Sequence, residues 1–509
     1  MKIGEVISAS VLGGIDTKLE LDNPEDLRVG YPIIVEGKRY DFYCLIQDIR
    51  NPPAGIIEQI AGSELGGSVV PMISPGIHEG YGGQIFFSKA LLKPIQLIDD
   101  VGKLHEPETI PPYFSEVRMA VREDVQKIYQ STETTMPIGS LRGIPDFEIP
   151  LDFASLTEKP FAIFGRTGMG KTILCKIVCN SILAKDTASI LLFDMHQEYG
   201  MYSKSDNSPG LKFFFPHKVE MFSLDPSNTE ARPFVISPKE ITPSDIIVAF
   251  QDLSDPMADA LYCLDRTKGD KDLITAILNA TPDSDERIHA GALQALRRRI
   301  ARMDRFDFVK DTSHDIFSHI MSLIQAKRSI VLDFGKYGRD MTAYLFIANI
   351  LARRLYDLYS ESEKDDLPRL VLFIEEAHKF LDPRIASYTV LSILARETRK
   401  FNLVLALIDQ RPSRIDDEVR SQLANRLILS LKEPNDITSA LAGIPDRSAW
   451  EGVVGAIPAR TVLAVGDAIR VPTVIEIMEY NTNFMRRFTD NMNSSEISDL
   501  SKDVDRIFE

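Results

Sequence analysis

From about residue 146 onward the chain alternates between short unbroken apolar runs and longer stretches with helical periodicity. PFAIFG, SILLFD, SIVLDFG, LVLFIEEAH, LVLALIDQ and RLILSLK each carry a continuous apolar run of about three to six residues. Runs without polar alternation predict strands buried on both faces, hence a largely parallel sheet covered by helices. Between Thr242 and about Ala326 such runs stop. ITPSDIIVAFQDL, DKDLITAILNA and GALQALRRRIARMDRF have helical spacing, which predicts a helical insertion outside the sheet. Residues 1 to about 110 have another rhythm. KIGEVISAS, YPIIVEG, DFYCLIQDI and GQIFFSKALLKPIQLI are short runs separated by Gly, Pro and Asn, the spacing of a small β-barrel or sandwich. The predicted organisation is a β-rich domain over 1–110, a linker over 111–145, an α/β domain over 146–478 with its insertion at about 242–326, and a polar tail over 479–509. That tail is expected either to strap onto a neighbour or to be loosely ordered.

Composition narrows the picture. With 509 residues, 44% hydrophobic and 26% charged, the chain is ordinary for a globular protein of several domains. No apolar run approaches the roughly 18 residues of a membrane span. The start, MKIGEVISAS, lacks the basic-then-apolar pattern of a secretory signal, so a cytoplasmic protein without a membrane segment is expected. Cys175 and Cys179 share a face of a predicted helix, without the further Cys or His of a zinc site nearby, and are expected as buried reduced thiols. A net charge of −16 argues against an outer surface that coats nucleic acid. It leaves room for a local basic channel, because steering depends on where charges sit.

Candidate chemistry begins with GRTGMGKT, Gly165 to Thr172, between a predicted strand, Pro160–Phe164, and a predicted helix, Ile173–Leu183. Strand, glycine-rich turn and helix form the context in which this pattern binds a nucleoside triphosphate. Gly165, Thr167, Gly168, Met169 and Gly170 would bring backbone N–H groups onto phosphate oxygens at a helix N-terminus. Lys171 would bridge the β- and γ-phosphates, and Thr172 would bind Mg2+. LVLFIEEAH ends a buried strand in Glu375 and Glu376, at the sheet edge where open α/β folds bind ligands. We assign Glu375 to the Mg2+ shell and Glu376 to polarising the attacking water. Asp194, in FDMHQEYG, ends the strand after the phosphate-loop helix, where it can support the metal's outer shell. His196, Glu198 and His378 read as hydrogen-bonding groups.

LARETRKFNLVLALIDQRP sets Arg396, Arg399 and Lys400 at the start of a buried strand, Asn402–Ile408, and Gln410 just past its end. Gln410 can sense a γ-phosphate. The arginines sit at the opposite sheet edge from the chain's own nucleotide, so they can reach only a neighbouring subunit's, which predicts a ring with sites at subunit interfaces. The plainer alternative is a set of arginines at a helix C-terminus.

GRTGMGKT, FDMHQEYG, FIEEAHKFL, LARETRKFNLVLALIDQRPSRID, SQLANRLILSLKEPND and VGDAIRVPTVIEI together resemble the HerA family of hexameric DNA-pumping ATPases, within the FtsK–HerA group. The resemblance covers about 138 to 478 and extends weakly to the N-terminus, which is similar to the family's barrel domain. It implies a RecA-like P-loop ATPase core with a helical insertion, an N-terminal β-barrel for docking, ATP and Mg2+ as cofactors, and a homo-hexamer around double-stranded DNA. It also implies a partner, a NurA-like nuclease or another effector, in DNA-end processing or phage defence. Arg399 becomes the trans-acting finger and Gln410 the sensor. Lys159 stands where family members can have a second trans-acting arginine. Thr398 and Asp409 depart from the family's glycine and serine. DNA-contact candidates are Lys204 and Lys212 after Glu198, and Arg411 and Arg414 after Gln410. The run Arg297, Arg298, Arg299, Arg302 and Arg305 suits either phosphates or a salt-bridged face. Two rival readings stand beside the motor: a secretion or conjugation ATPase of the same group, and an ATP-binding ring scaffold that regulates an effector without moving DNA.

Overall fold

The structure is a computed structural model. It describes residues 2–21, 23–51, 87–205, 208–281, 288–363, 366–386, 388–397, 401–445, 447–481, 484 and 487. Thr398, Arg399 and Lys400 lie outside the described residues, as does the tail beyond 487. The chain divides into two compact units, one built from 1–132, 137–150 and 428–477, the other from 133–136, 151–427 and 478–509.

The first unit begins with antiparallel strands β1 (Lys2–Ser10), β2 (Gly14–Leu19), β3 (Pro32–Glu36), β4 (Tyr40–Arg50), β5 (Lys89–Asp99), β6 (Leu104–His105) and β7 (Glu116–Met119). β7 lies in the stretch read from sequence as a linker. It enters the sheet between β1 and β3. The order runs β2-β1-β7-β3-β4-β5, and pairing of β2 with β5 closes the barrel, with β6 added beside β5. Alternate side chains fill it: Ile3, Val6, Ile15, Ile33, Val35 and Phe42 belong to one buried cluster. The antiparallel registers bring the β1–β2, β3–β4 and β5–β6 turns and the approach to β7 to one end of the barrel. That end carries exposed apolar side chains: Val11, Leu12, Val101, Ile110, Tyr113 and Phe114. Phe114 is held at φ 61 by a bond from its N–H to the Val6 carbonyl, 2.9 Å. The unit also contains β8 (Thr135–Leu141), β9 (Ile144–Asp152), β18 (Thr461–Val465) and β19 (Thr473–Ile477), with β19 antiparallel to both β18 and β8.

The second unit is an α/β layer structure. Its strands are β10 (Phe161–Phe164), β11 (Ser189–Asp194), β12 (Val219–Ser223), β13 (Arg232–Pro233), β14 (Ser329–Asp333), β15 (Leu370–Glu375), β16 (Leu403–Asp409) and β17 (Asn425–Leu429). They follow the order β13-β12-β14-β11-β15-β16-β10-β17. The pairings from β13 through β10 are parallel. β10, β11, β14 and β16 are buried at every residue, the physical reason their sequences lack alternation. Helices Lys171–Lys185, Met341–Glu361 and Val390–Glu397 cover the sheet. The insertion is helical: Pro243–Ala249, Asp255–Thr267, Leu273–Asn279, Ala290–Ile300 and Ile316–Gln325. Its basic run is largely committed internally. Arg297 donates to the carbonyls of Ile277 and Ala280, Arg299 pairs with Asp252 at 2.7 Å, and Arg305 with Asp340 at 2.7 Å.

Cys175 and Cys179 are buried free thiols 4.0 Å apart. The described start of the tail packs on its own chain. Tyr480 covers the buried Lys176 ammonium with its ring at 5.5 Å and donates to the Pro209 carbonyl at 2.8 Å. Among the described residues, no helix is long and apolar enough to cross a membrane.

Candidate nucleotide site

Parallel strands bring their C-terminal ends to one edge of the sheet. Register sets Phe164 opposite Asp409, Asp194 opposite Asp333, and Glu375 opposite Ile408. After β10 the chain turns through Gly165–Gly170 into the helix that starts at Lys171. Gly168 has φ 81 and Gly170 φ 102, a region side chains rarely adopt. A Cβ at 168 would meet nothing within 4 Å, so glycine is there for backbone conformation and leaves an open cradle. The ammonium of Lys171 rests on a carbonyl, that of Gly165, at 2.6 Å. Burial holds its pKa below the ordinary lysine value, opposed by the carboxylates of Glu376, Asp409 and Glu375. Thr172 follows in the first turn of the same helix.

Glu375 and Glu376 leave β15 in different directions. Glu375 accepts the Tyr199 hydroxyl at 2.8 Å, and its main-chain carbonyl accepts the Tyr344 hydroxyl at 2.7 Å. Burial pushes Glu375 up to about 8; the Tyr199 bond works against that rise, and the carboxylates of Asp194, Glu198 and Glu376 add to it. Glu376 has φ 49, a left-handed conformation that is uncommon outside glycine. Both its oxygens lie 3.4 Å from the amide nitrogen of Gln410, whose amide oxygen accepts the Thr167 hydroxyl at 2.9 Å. Gln410 therefore bridges the phosphate loop and Glu376.

Asp194 is buried, and its two oxygens accept the backbone N–H groups of Glu198 (2.8 Å) and Tyr199 (2.9 Å). Burial raises it to about 6, against those two bonds. Its geometry caps the turn that delivers Tyr199 to Glu375. His196 is exposed, and Glu198 accepts the Ser205 hydroxyl at 3.3 Å. His378 turns both its backbone N–H and Nδ1 onto Asp409.

Lys159 and Arg396 precede β10 and β16, at the sheet edge opposite the phosphate loop. Arg396 pairs with Glu418 at 3.0 Å. Of the DNA-contact candidates, Arg411 and Arg414 are exposed in the turn after β16, and Lys204 donates to the Gln197 amide oxygen at 2.8 Å. Lys212 lies in the short helix Leu211–Phe214, half-buried, with its ammonium on the Val219 carbonyl at 2.8 Å and near Glu220 at 3.5 Å. Sequence reasoning did not single out Tyr199 or Tyr344. The only signal for Tyr199 is its place five residues after Asp194, one turn beyond a strand end.

Residues 136–355 match the family profile described as the central domain of helicase HerA. The chain is 25% identical over 418 residues to the DNA double-strand break repair helicase HerA of Sulfurisphaera tokodaii, covering 77% of this chain and 78% of that one. It is 23% identical over 497 residues to the DNA double-strand break repair helicase HerA of Sulfolobus acidocaldarius, covering 94% of each chain. Among solved structures, the plasmid coupling protein TrwB in complex with ADP and Mg2+ has the same core fold, with TM-score 0.50 at 13% identity over 71% of this chain and 92% of that one.

Proposed function

The chain belongs to the HerA family, with a RecA-like P-loop core, a helical insertion and an N-terminal β-barrel, and from that premise we propose an ATP-driven, hexameric translocase or helicase for double-stranded DNA that works with a partner nuclease or other effector. The observation that carries the reading is the Thr167–Gln410–Glu376 bridge, which sets the phosphate loop, a sensor and a carboxylate side by side. An open glycine cradle and a lysine resting on a carbonyl fit a triphosphate. Magnesium is characteristically held by one or two protein groups together with phosphates, and Thr172, with Glu375 through water, would hold it here. When bound it neutralises phosphate charge. The chain's own residues do the rest: backbone N–H groups and Lys171 orient the phosphates, Glu376 takes a proton from water, and Gln410 reports the γ-phosphate. Arg399, which precedes β16 in the sequence, serves the neighbouring subunit's site, with Arg396 and Lys159 as further candidates.

DNA would be gripped without base reading by Arg411, Arg414 and Lys204. In the same reading the barrel is the docking domain. Its hairpin end offers Leu12, Tyr113 and Phe114 among exposed charges of both signs, Asp100, Glu106, Glu108 and Glu116 with Lys38, Arg39 and Lys103. An apolar knob within a charged rim suits a protein partner.

The deciding measurement is steady-state ATPase activity at low salt, with and without linear duplex DNA. DNA-stimulated turnover that falls as salt rises is expected of the motor. ATP binding with turnover indifferent to DNA, both alone and with the effector bound, would instead make the ring a scaffold.

A further inference from the structure

Asp409, the departure from the family's serine, ends β16 directly before the sensor Gln410. It is 1% exposed. One oxygen accepts the backbone N–H of His378 at 2.6 Å, and the other accepts that of Arg411, also at 2.6 Å. His378 Nδ1 faces both oxygens, at 3.0 and 3.2 Å. The main-chain carbonyl of Asp409 accepts the N–H of Gly165, the first residue of the phosphate loop, at 3.1 Å. One residue thus fastens the turn after β15, the turn after β16 and the start of the phosphate loop.

The turn after β15 needs fastening. Glu376 sits at φ 49, which a glutamate holds only where its surroundings over-determine it. Two residues later, the His378 N–H is tied by a short bond to a buried carboxylate, the stronger class of hydrogen bond. The His378 ring then stands between two acids, with Nδ1 3.0 Å from Asp409 and 3.6 Å from Glu376. A serine at 409 has one oxygen on a shorter arm. It cannot accept from His378 and Arg411 through separate atoms.

We propose that Asp409 is a positioning residue that clamps the Glu376–Lys379 turn, keeping Glu376 in its left-handed conformation and in register with the phosphate loop. The proposal rests on Glu376 activating water for ATP hydrolysis. It predicts a larger effect on turnover than on nucleotide capture, because the Asp409 carboxylate bonds to neither Lys171 nor the loop N–H groups, and its main-chain carbonyl, which holds Gly165, survives substitution.

The test uses the full chain, with ATP turnover and binding of a fluorescent ATP analogue measured separately. Asp409→Ser is expected to lower kcat roughly 10- to 100-fold, the scale of a misplaced reacting group, with analogue affinity within about 3-fold of wild type. Asp409→Asn, which keeps one acceptor oxygen, should recover part of the loss. His378→Ala, which leaves the backbone bond, should fall between Asn and wild type. In a Glu376→Gln background, Asp409→Ser should add nothing, since it acts through that carboxylate. Additive losses in that background, or equal losses of turnover and affinity, would overturn the clamp. Should the serine variant fail to fold, wild-type kcat in both Asp409→Asn and His378→Ala overturns it equally. A wild-type protein that binds but never turns over ATP, with or without DNA, removes the hydrolytic reading, and the clamp with it.

Discussion

The two edges of the core sheet are built on different terms. At the C-terminal edge every strand-end acid has partners within the chain. Asp194 caps a turn, Asp333 takes bonds from Gln197, Ser223 and Asn228, Glu375 takes the Tyr199 hydroxyl, and Asp409 ties three segments together. Such density fixes side chains to the tolerance that chemistry requires. At the N-terminal edge Arg396 lies nearer to solvent. Arg396 is 45% exposed, donates its Nε to the Ser392 carbonyl at 3.1 Å and pairs on the surface with Glu418 at 3.0 Å. The difference teaches that burial and mutual bonding mark the strand-end acids, whereas the Arg396 side chain keeps the reach that the proposed neighbouring site would call for.

The comparison can be broken most forcefully at Arg399. Arg399→Ala should lower turnover by about 10³-fold or more if it acts as a finger. Mixing Arg399→Ala subunits with Lys171→Ala subunits should restore part of the activity, read as ATPase rate against mixing ratio. No recovery would place the arginine in its own subunit's site. Next in size is the finished edge: Glu376→Gln should cut kcat by roughly 10²–10⁴-fold, the usual worth of a general base, while ATP still binds.

A smaller effect is set by Glu375. Its pKa in the folded, nucleotide-free protein, about 8, lies above the ordinary carboxyl value. The folded chain therefore keeps a proton that the unfolded chain loses between these two values. The stability this contributes is complete at acid pH and is lost as pH rises through about 8. Melting temperature should fall between about pH 6 and about pH 8 without nucleotide and level off above, and Glu375→Gln should flatten that slope. Smallest of all, Arg396→Ala should change stability by less than about 1 kcal/mol in thermal or denaturant unfolding, as for other exposed pairs. A loss of turnover as large as that of Arg399→Ala would show that the edge uses both arginines.

Much of the core was legible because burial on both faces leaves an unmistakable trace. Pro160–Phe164 is observed as Phe161–Phe164, Asn402–Ile408 as Leu403–Asp409, and the helix Ile173–Leu183 as Lys171–Lys185. The phosphate loop was legible for a related reason: its glycines answer to backbone conformation, which is local. β12 was not, since Glu220 interrupts its apolar pattern to meet Arg328 at 2.7 Å, a partner more than 100 residues away. Tyr199, the left-handed Glu376 and the Asp409 hub were illegible for the same cause. Each is defined by groups that only the folded sheet brings together.

Closure of the barrel by the pairing of Ile15–Lys18 with Lys89–Leu92 bears on how such an assembly survives its own crowding. A sheet with a free edge offers unpaired N–H and C=O groups to any identical sheet, the route to strand exchange and fibrous aggregation. The proposed ring would hold its barrels at high local concentration, where that hazard is greatest. A closed barrel removes the edge and leaves β6, two residues long, as its added strand. Neighbouring barrels can then meet through side chains but have little backbone to trade.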